Sequence, residues 1–242
     1  YGRLRFNSFG FKWHDEEQGT RKDHAIAAIG GSLVYKSAIY NGFSFGGGVY
    51  ATKAQGSLDA SEASFYRAGK GTTSRHKLMT QEESHILSLA EAYLTYEYEK
   101  TALTLGRQSY ESYLTKTNDT KMIPNTFEGI SILSKSIPAT LVKLAYFTRQ
   151  KLRDHTKFHH VLAYGDDAND PYAAYTQNDD SAMHTGLGLS KLKAKGIEDR
   201  LYIFEAKNYA IDNLTVYMNY TAVPELLSSA MLQANYRLEM GD

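Results

Sequence analysis

The chain has 242 residues, with 27 Lys+Arg against 27 Asp+Glu, so its formal net charge is zero and a global basic field for nucleic acid is excluded. It contains no Cys, which excludes disulfides, zinc ribbons and thiol catalysis. Mean hydropathy is −0.45, and the longest charge-free stretch, from Lys36 to Lys53, is broken by Asn41-Gly42 and Gly46-Gly47-Gly48, so the roughly 20 apolar residues of a membrane helix are absent.

Tyrosine supplies 19 residues against 10 Phe and 1 Trp, with 19 Gly and only 4 Pro. An amphipathic ring suits a boundary between apolar and wet surroundings, and few prolines suit extended strands with turn glycines. Composition alone leaves a secreted β-sandwich and a membrane barrel both open.

The chain opens at Tyr1 without a charged segment followed by an apolar one, so any targeting peptide is expected to be gone already. A period of two begins at once: Leu4 and Phe6 alternate with Arg3, Arg5 and Asn7. Further strands are expected over 24–35 and 43–53. Around residue 90, Ala90, Ala92, Leu94, Tyr96 and Tyr98 alternate with Glu91, Tyr93, Thr95 and Glu97. Strands then follow over 101–107, 127–135, 139–149, 182–191 and 200–209. Leu214, Val216, Met218 and Tyr220 alternate with Thr215, Tyr217, Asn219 and Thr221, and Ala230, Leu232, Ala234, Tyr236 and Leu238 form the last apolar face.

About eleven strands of roughly 9–12 residues are thus expected, the length a tilted strand needs to cross a bilayer. Connections alternate in length: long at 13–23, 54–85, 108–126 and 150–181, short at Asn41-Gly42, Glu99-Lys100 and Ser136-Ile137-Pro138. Long loops at one end and tight turns at the other favour an all-β, antiparallel up-and-down transmembrane barrel over a soluble sandwich. An odd strand count, and an end on Glu239-Met240-Gly241-Asp242 directly after a strand-like run, imply that the single barrel domain of residues 1–242 is incomplete at its C-terminus.

Enzyme signatures are not found. Ala68-Gly69-Lys70-Gly71-Thr72 lacks the first glycine of a phosphate loop. His155 and His159 have an i, i+4 spacing that could serve a metal, against a solvated loop as the plainer reading. Asp166, Asp167 and Asp170, with Asp179 and Asp180 beyond, could hold Ca²⁺ through hard oxygens, although the EF-hand spacing is missing. No other cofactor is implied. Charged residues on the polar faces carry more meaning, because that face of a wide barrel lines water. By phase Arg3, Arg5, Lys143, Arg149, Lys207 and Arg237 are expected to point inward, with Glu91, Glu97 and Glu205 opposite, and their potential can bias which ions enter.

Leu105-Gly106-Arg107-Gln108, followed by the run from Asn118-Asp119-Thr120-Lys121 through Met122-Ile123-Pro124-Asn125 to Thr126-Phe127-Glu128-Gly129, resembles the OprD family of outer-membrane porins. Lys121 stands for that family's usual Arg, Met122-Ile123 for Leu-Leu and Asn125 for Gln, and Gly2-Arg3-Leu4-Arg5 is similar to its first strand. The resemblance implies an 18-stranded barrel in the bacterial outer membrane, in contact with its lipid. It also implies a third loop folded inward as a constriction, carrying Tyr110, Glu111, Tyr113, Lys116 and Asp119, and a basic ladder for carboxylate solutes, for which Arg3, Arg5 and Arg237 are the candidates. The composition is also similar to the major porins of epsilon-proteobacteria, which implies a monomer or a homotrimer and a calcium site near the Asp166–Asp180 segment. The expected function is passive diffusion of small hydrophilic solutes, with a preference for carboxylates. The rival reading is a non-conducting adhesin, receptor or secreted sandwich that acts through its loops.

Overall fold

A computed structural model describes residues 1–17, 21–56, 58–66, 72–117, 122–173, 175 and 186–238. Ten strands form one sheet in chain order, every neighbouring pair antiparallel. They are β1 Gly2–Phe11, β2 His24–Lys36, β3 Phe43–Gln55, β4 His85–Tyr98, β5 Thr101–Gln108, β6 Thr126–Ser134, β7 Thr140–Lys151, β8 Leu201–Ile211, β9 Leu214–Val223 and β10 Leu227–Tyr236. Two short helices, α1 Arg75–Gln81 and α2 Leu189–Ala194, lie in the long loops. The sheet is part of an up-and-down barrel wall.

The strand expected over 182–191 is a correction. Residues 182–185 lie outside the described residues, and Leu189–Ala194 is helical with Leu189 and Leu192 buried. Leu187 and Leu189 have the spacing of a strand, but the buried face is set by Leu189 and Leu192 at helical spacing. Asp166 caps that helix by accepting the Ser190 amide at 2.8 Å and its hydroxyl at 2.6 Å. With the false strand removed, 152–200 is one connection. Long loops 12–23, 56–84, 109–125 and 152–200 leave one end of the sheet, and turns 37–42, 99–100, 135–139 and 212–213 close the other.

Register assigns the two faces, because cross-strand partners point the same way. Leu4, Leu33, Phe45, Leu94, Leu105 and Leu144 share one face with large exposed areas, 82% in the case of Leu4. Such a continuous bare apolar surface suits hydrocarbon, not water. Aromatic rings edge it at both ends. Tyr35 lies against Phe45 and Phe43 against Tyr96 near the turns, with Tyr98 beside them. Tyr146 against Tyr202, with Tyr220 on the next strand, mark the loop end. Six of the 19 tyrosines, Tyr35, Tyr96, Tyr98, Tyr146, Tyr202 and Tyr220, lie in these two girdles.

The opposite face is covered by loops. Ala63, Tyr66 and Leu78 of the second loop pack on Ile26 and Ala54, and Tyr110 and Val161 join Phe127, Phe147, Ile203 and Val223. Three register shifts interrupt the ladder: Ala90 is unpaired between Glu91 and Leu89, Thr148 between Arg149 and Phe147, and a third falls between Asn208 and Ile211 of β8. Replacing Leu94 by Arg on the bare face is expected to destabilise the folded barrel in bilayers by about 2–4 kcal/mol, whereas Arg at neighbouring Thr95 costs far less; equilibrium refolding of the full-length protein checks both.

Candidate functional site

The site is built from the end of β5 onward. Gln108 is locked in the wall, accepting from the Ser131 hydroxyl at 2.5 Å and donating to the Gly129 carbonyl at 3.4 Å. The chain then turns onto the loop-covered face. Ser109 donates to the Glu91 carboxylate on β4 at 2.5 Å, and the Tyr110 ring meets Phe147 edge-on at 5.1 Å. The Tyr113 amide donates to Glu205 on β8 at 2.7 Å. Glu205, itself buried, also accepts from the Tyr217 hydroxyl and from Asn219 at 3.2 Å, and pairs with Lys143 at 3.5 Å. Lys143 donates in turn to the Glu111 carbonyl at 2.9 Å.

On its return the loop reaches the other side of the wall. Met122 and Ile123 are buried against Ile86 and Tyr50 of β4 and β3. Gly30 on β2 makes room for them, since a Cβ there would lie 2.7 Å from the end of Met122. Lys151, fully buried, donates to the Pro124 carbonyl at 3.2 Å, and Asn125 accepts from the Arg153 amide at 2.8 Å. One loop is thus braced on β7–β9 by polar contacts and on β2–β4 by apolar ones.

A cavity of about 390 Å³ lies under the loop, lined by Lys36, Glu91, Tyr93, Gln108, Glu111 and Lys143. Tyr93 lies flat over Gly46, where a Cβ would come within 2.4 Å of the ring. The Tyr110 hydroxyl is buried with no hydrogen-bond partner among the described residues. Its burial, and secondarily the Glu205 carboxylate, hold the phenol well above its ordinary pKa, so it stays neutral.

Arg3, Arg5, Glu91, Glu97, Lys143 and Lys207 share the loop-covered face by register. Glu91 and Lys143 belong to the site. Arg3 lies over the Tyr1 ring at 5.4 Å and Lys207 over Tyr217 at 4.7 Å, while Glu97 sits beside the turns. Arg149 is a correction: the extra residue Thr148 inverts the phase, so Arg149 pairs in register with Glu128 on the bare face. Arg237 follows β10, its amide donating to the Asn213 carbonyl at the turn end. Tyr110, Glu111, Tyr113 and Lys116 all lie on the braced loop, and Asp119, like Lys121, falls outside the described residues. Lys36, Tyr93, Tyr217 and Asn219 complete the site without having been singled out. The first two are legible from strand phase; Tyr217 and Asn219 meet Glu205 across the β8–β9 pairing, 12 and 14 residues on, whereas the Tyr113 contact with Glu205 crosses 92 residues of sequence and has no local signal.

The metal candidates resolve differently. His155 and His159 are buried rather than solvated, bonded to one another and packed on Tyr175. Asp166 is spent on Ser190, whose hydroxyl and amide hold its carboxyl below the usual range. Asp167 and Asp170 share the Lys193 ammonium at 2.7 and 3.2 Å. Among the described residues no three His, Asp or Glu side chains converge as a metal shell. Asp179, Asp180 and residues 68–71 lie outside the described residues.

A family model described as outer membrane porin, OprD family, matches residues 9–226. No curated protein matches the chain in sequence. Among solved structures, OccAB4 of Acinetobacter baumannii aligns with a TM-score of 0.66 at 13% identity, over 99% of this chain and 54% of that one. OccAB1 of the same organism gives 0.65 at 17%, over 99% and 48%. OpdK of Pseudomonas aeruginosa, solved with vanillate, gives 0.62 at 11%, over 100% and 52%. The chain therefore spans about half the length of these structures.

Glu205→Ala removes the acceptor that holds Tyr113 and Lys143. A charged hydrogen bond of this kind contributes about 2 kcal/mol, so amide exchange over 109–117 is expected to rise roughly 30-fold in the full-length protein while the strand core stays protected.

Proposed function

The chain belongs to the OprD family of outer-membrane porins, and from that premise we propose that it forms part of the wall and the constriction of a channel for passive diffusion of small hydrophilic solutes, with a preference for carboxylates. The observation that carries the reading is the braced loop, because a segment tied to both β7–β9 and β2–β4 narrows whatever passes along the inner face. Membership in a porin family points to a channel rather than a catalyst. Selectivity then follows without chemistry: the loop sets the aperture and wall charge biases entry.

Strand residues of the inner face among those described carry five cationic side chains, Arg3, Arg5, Lys36, Lys143 and Lys207, against the carboxylates Glu91, Glu97 and Glu205. Glu91 and Glu205 are also engaged by the loop and by Lys143. The balance favours anions, and a hydrated carboxylate meets a positive field on approach. The vanillate in the OpdK structure is a carboxylate, which is consistent with this preference.

Reconstituted full-length protein in a planar bilayer is expected to give discrete single-channel steps that small carboxylates partly block. Arg3→Ala with Arg5→Ala should move the reversal potential in a salt gradient toward the cation side. Folded, inserted protein without conductance would overturn the channel reading in favour of a surface protein acting through its loops. Unchanged reversal potentials would remove Arg3 and Arg5 from the selectivity mechanism.

A further inference from the structure

Apart from Lys53 on β3, charge on the bare face of the described strands is clustered on three neighbouring strands. Arg107 on β5, Glu128 on β6 and Arg149 on β7 are register neighbours across three strands. Arg107 Nε donates to one Glu128 oxygen at 3.0 Å, and Arg149 Nη2 lies 3.1 Å from the other. Two guanidiniums thus share one carboxylate and leave net positive charge. Phe158 lies against the Arg107 guanidinium at 4.7 Å and Tyr172 against that of Arg149 at 4.0 Å. Beside these rings, 36% and 26% of the two arginine side chains remain exposed. Arg200, at the start of β8, adds a third cation beside them, donating to the carbonyl of the bulge residue Thr148.

The cluster lies one side-chain layer above the loop-end girdle of Tyr146 and Tyr202, the depth at which lipid headgroups begin. Directly below it, Leu105, Ile130 and Tyr146 line a groove of about 460 Å³ that opens to the bilayer and runs up to Arg107 and Glu128. A pore wall has no use for cations on its lipid side, and in hydrocarbon they are costly. An amphiphile with an anionic head and an acyl tail satisfies both parts at once.

We infer that this surface is a binding site for an acylated, phosphorylated lipid of the outer leaflet, its phosphate on the N–H edges of Arg107 and Arg149 and one acyl chain in the groove. Guanidinium suits this role because it offers several donors in a plane to phosphate oxygens. Glu128 holds the two arginines apart and in place, and it also repels the phosphate. The site does not depend on whether the lumen conducts.

Full-length protein in detergent, titrated with bisphosphorylated lipid A and read by native mass spectrometry, tests the assignment. Arg107→Gln with Arg149→Gln is expected to weaken binding by roughly tenfold or more. Glu128→Gln keeps the shape, removes the repulsion and is expected to strengthen binding, an outcome that a purely structural ion ladder does not give. Strand content by circular dichroism identifies any variant that fails to fold, and Glu128→Gln then decides. Equal binding of dephosphorylated lipid A, or no change in any folded variant, would overturn the proposal. So would inorganic phosphate binding alone with the same arginine dependence, or a lipid-independent oligomer that these variants dissociate.

Discussion

Backbone amides and carbonyls that cross hydrocarbon find no water to bond, and this constraint shapes everything else in the chain. The ten strands meet it with one antiparallel sheet paired in sequence order, the long loops all leaving at one end. Once the ladder is continuous, side chains have only two destinations. Leu, Phe and Tyr go to the lipid side, and charged and small residues go to the side that the loops cover. The bulge at Thr148 shifts the phase of β7 and redirects Arg149 from the loop-covered face to the bare one.

On the inner side the long loops lose their freedom by burying apolar groups of their own. Tyr66 and Leu78, Met122 and Ile123, and Leu189 and Leu192 each seat a loop segment in a small core. The third loop differs because its other end is held by wall carboxylates. Glu91 and Glu205 take a hydroxyl and an amide from residues 109 and 113, and the short turn at Ser112–Thr115 follows with its own hydroxyl bond of 2.8 Å. A segment held this way is fixed by directed bonds.

Much of the fold was legible from the period of two, since nine of the ten strands lie close to where alternation put them. β10 begins earlier than its alternation suggests, at Leu227. Failures occurred where the signal was carried by a single residue or by distant ones. One inserted residue, Thr148, reverses Arg149, and nothing in Tyr146-Phe147-Thr148-Arg149 announces it. Leu187-Gly188-Leu189 alternates like a strand, yet the buried partner of Leu189 is Leu192. The loop's inward fold was suggested by resemblance alone, because its anchors lie 18 and 92 residues away along the chain. His155 and His159 looked solvated by composition, while packing on Tyr175 buries them.

The two carboxylates that tether the third loop are also two of the three that offset the cationic wall. On the proposed reading, the atoms that hold the loop also set part of the charge of the inner face. A lineage or an engineer that neutralises Glu205 to make the interior more positive loosens the obstacle as well, and one that widens the opening by freeing the loop changes its field.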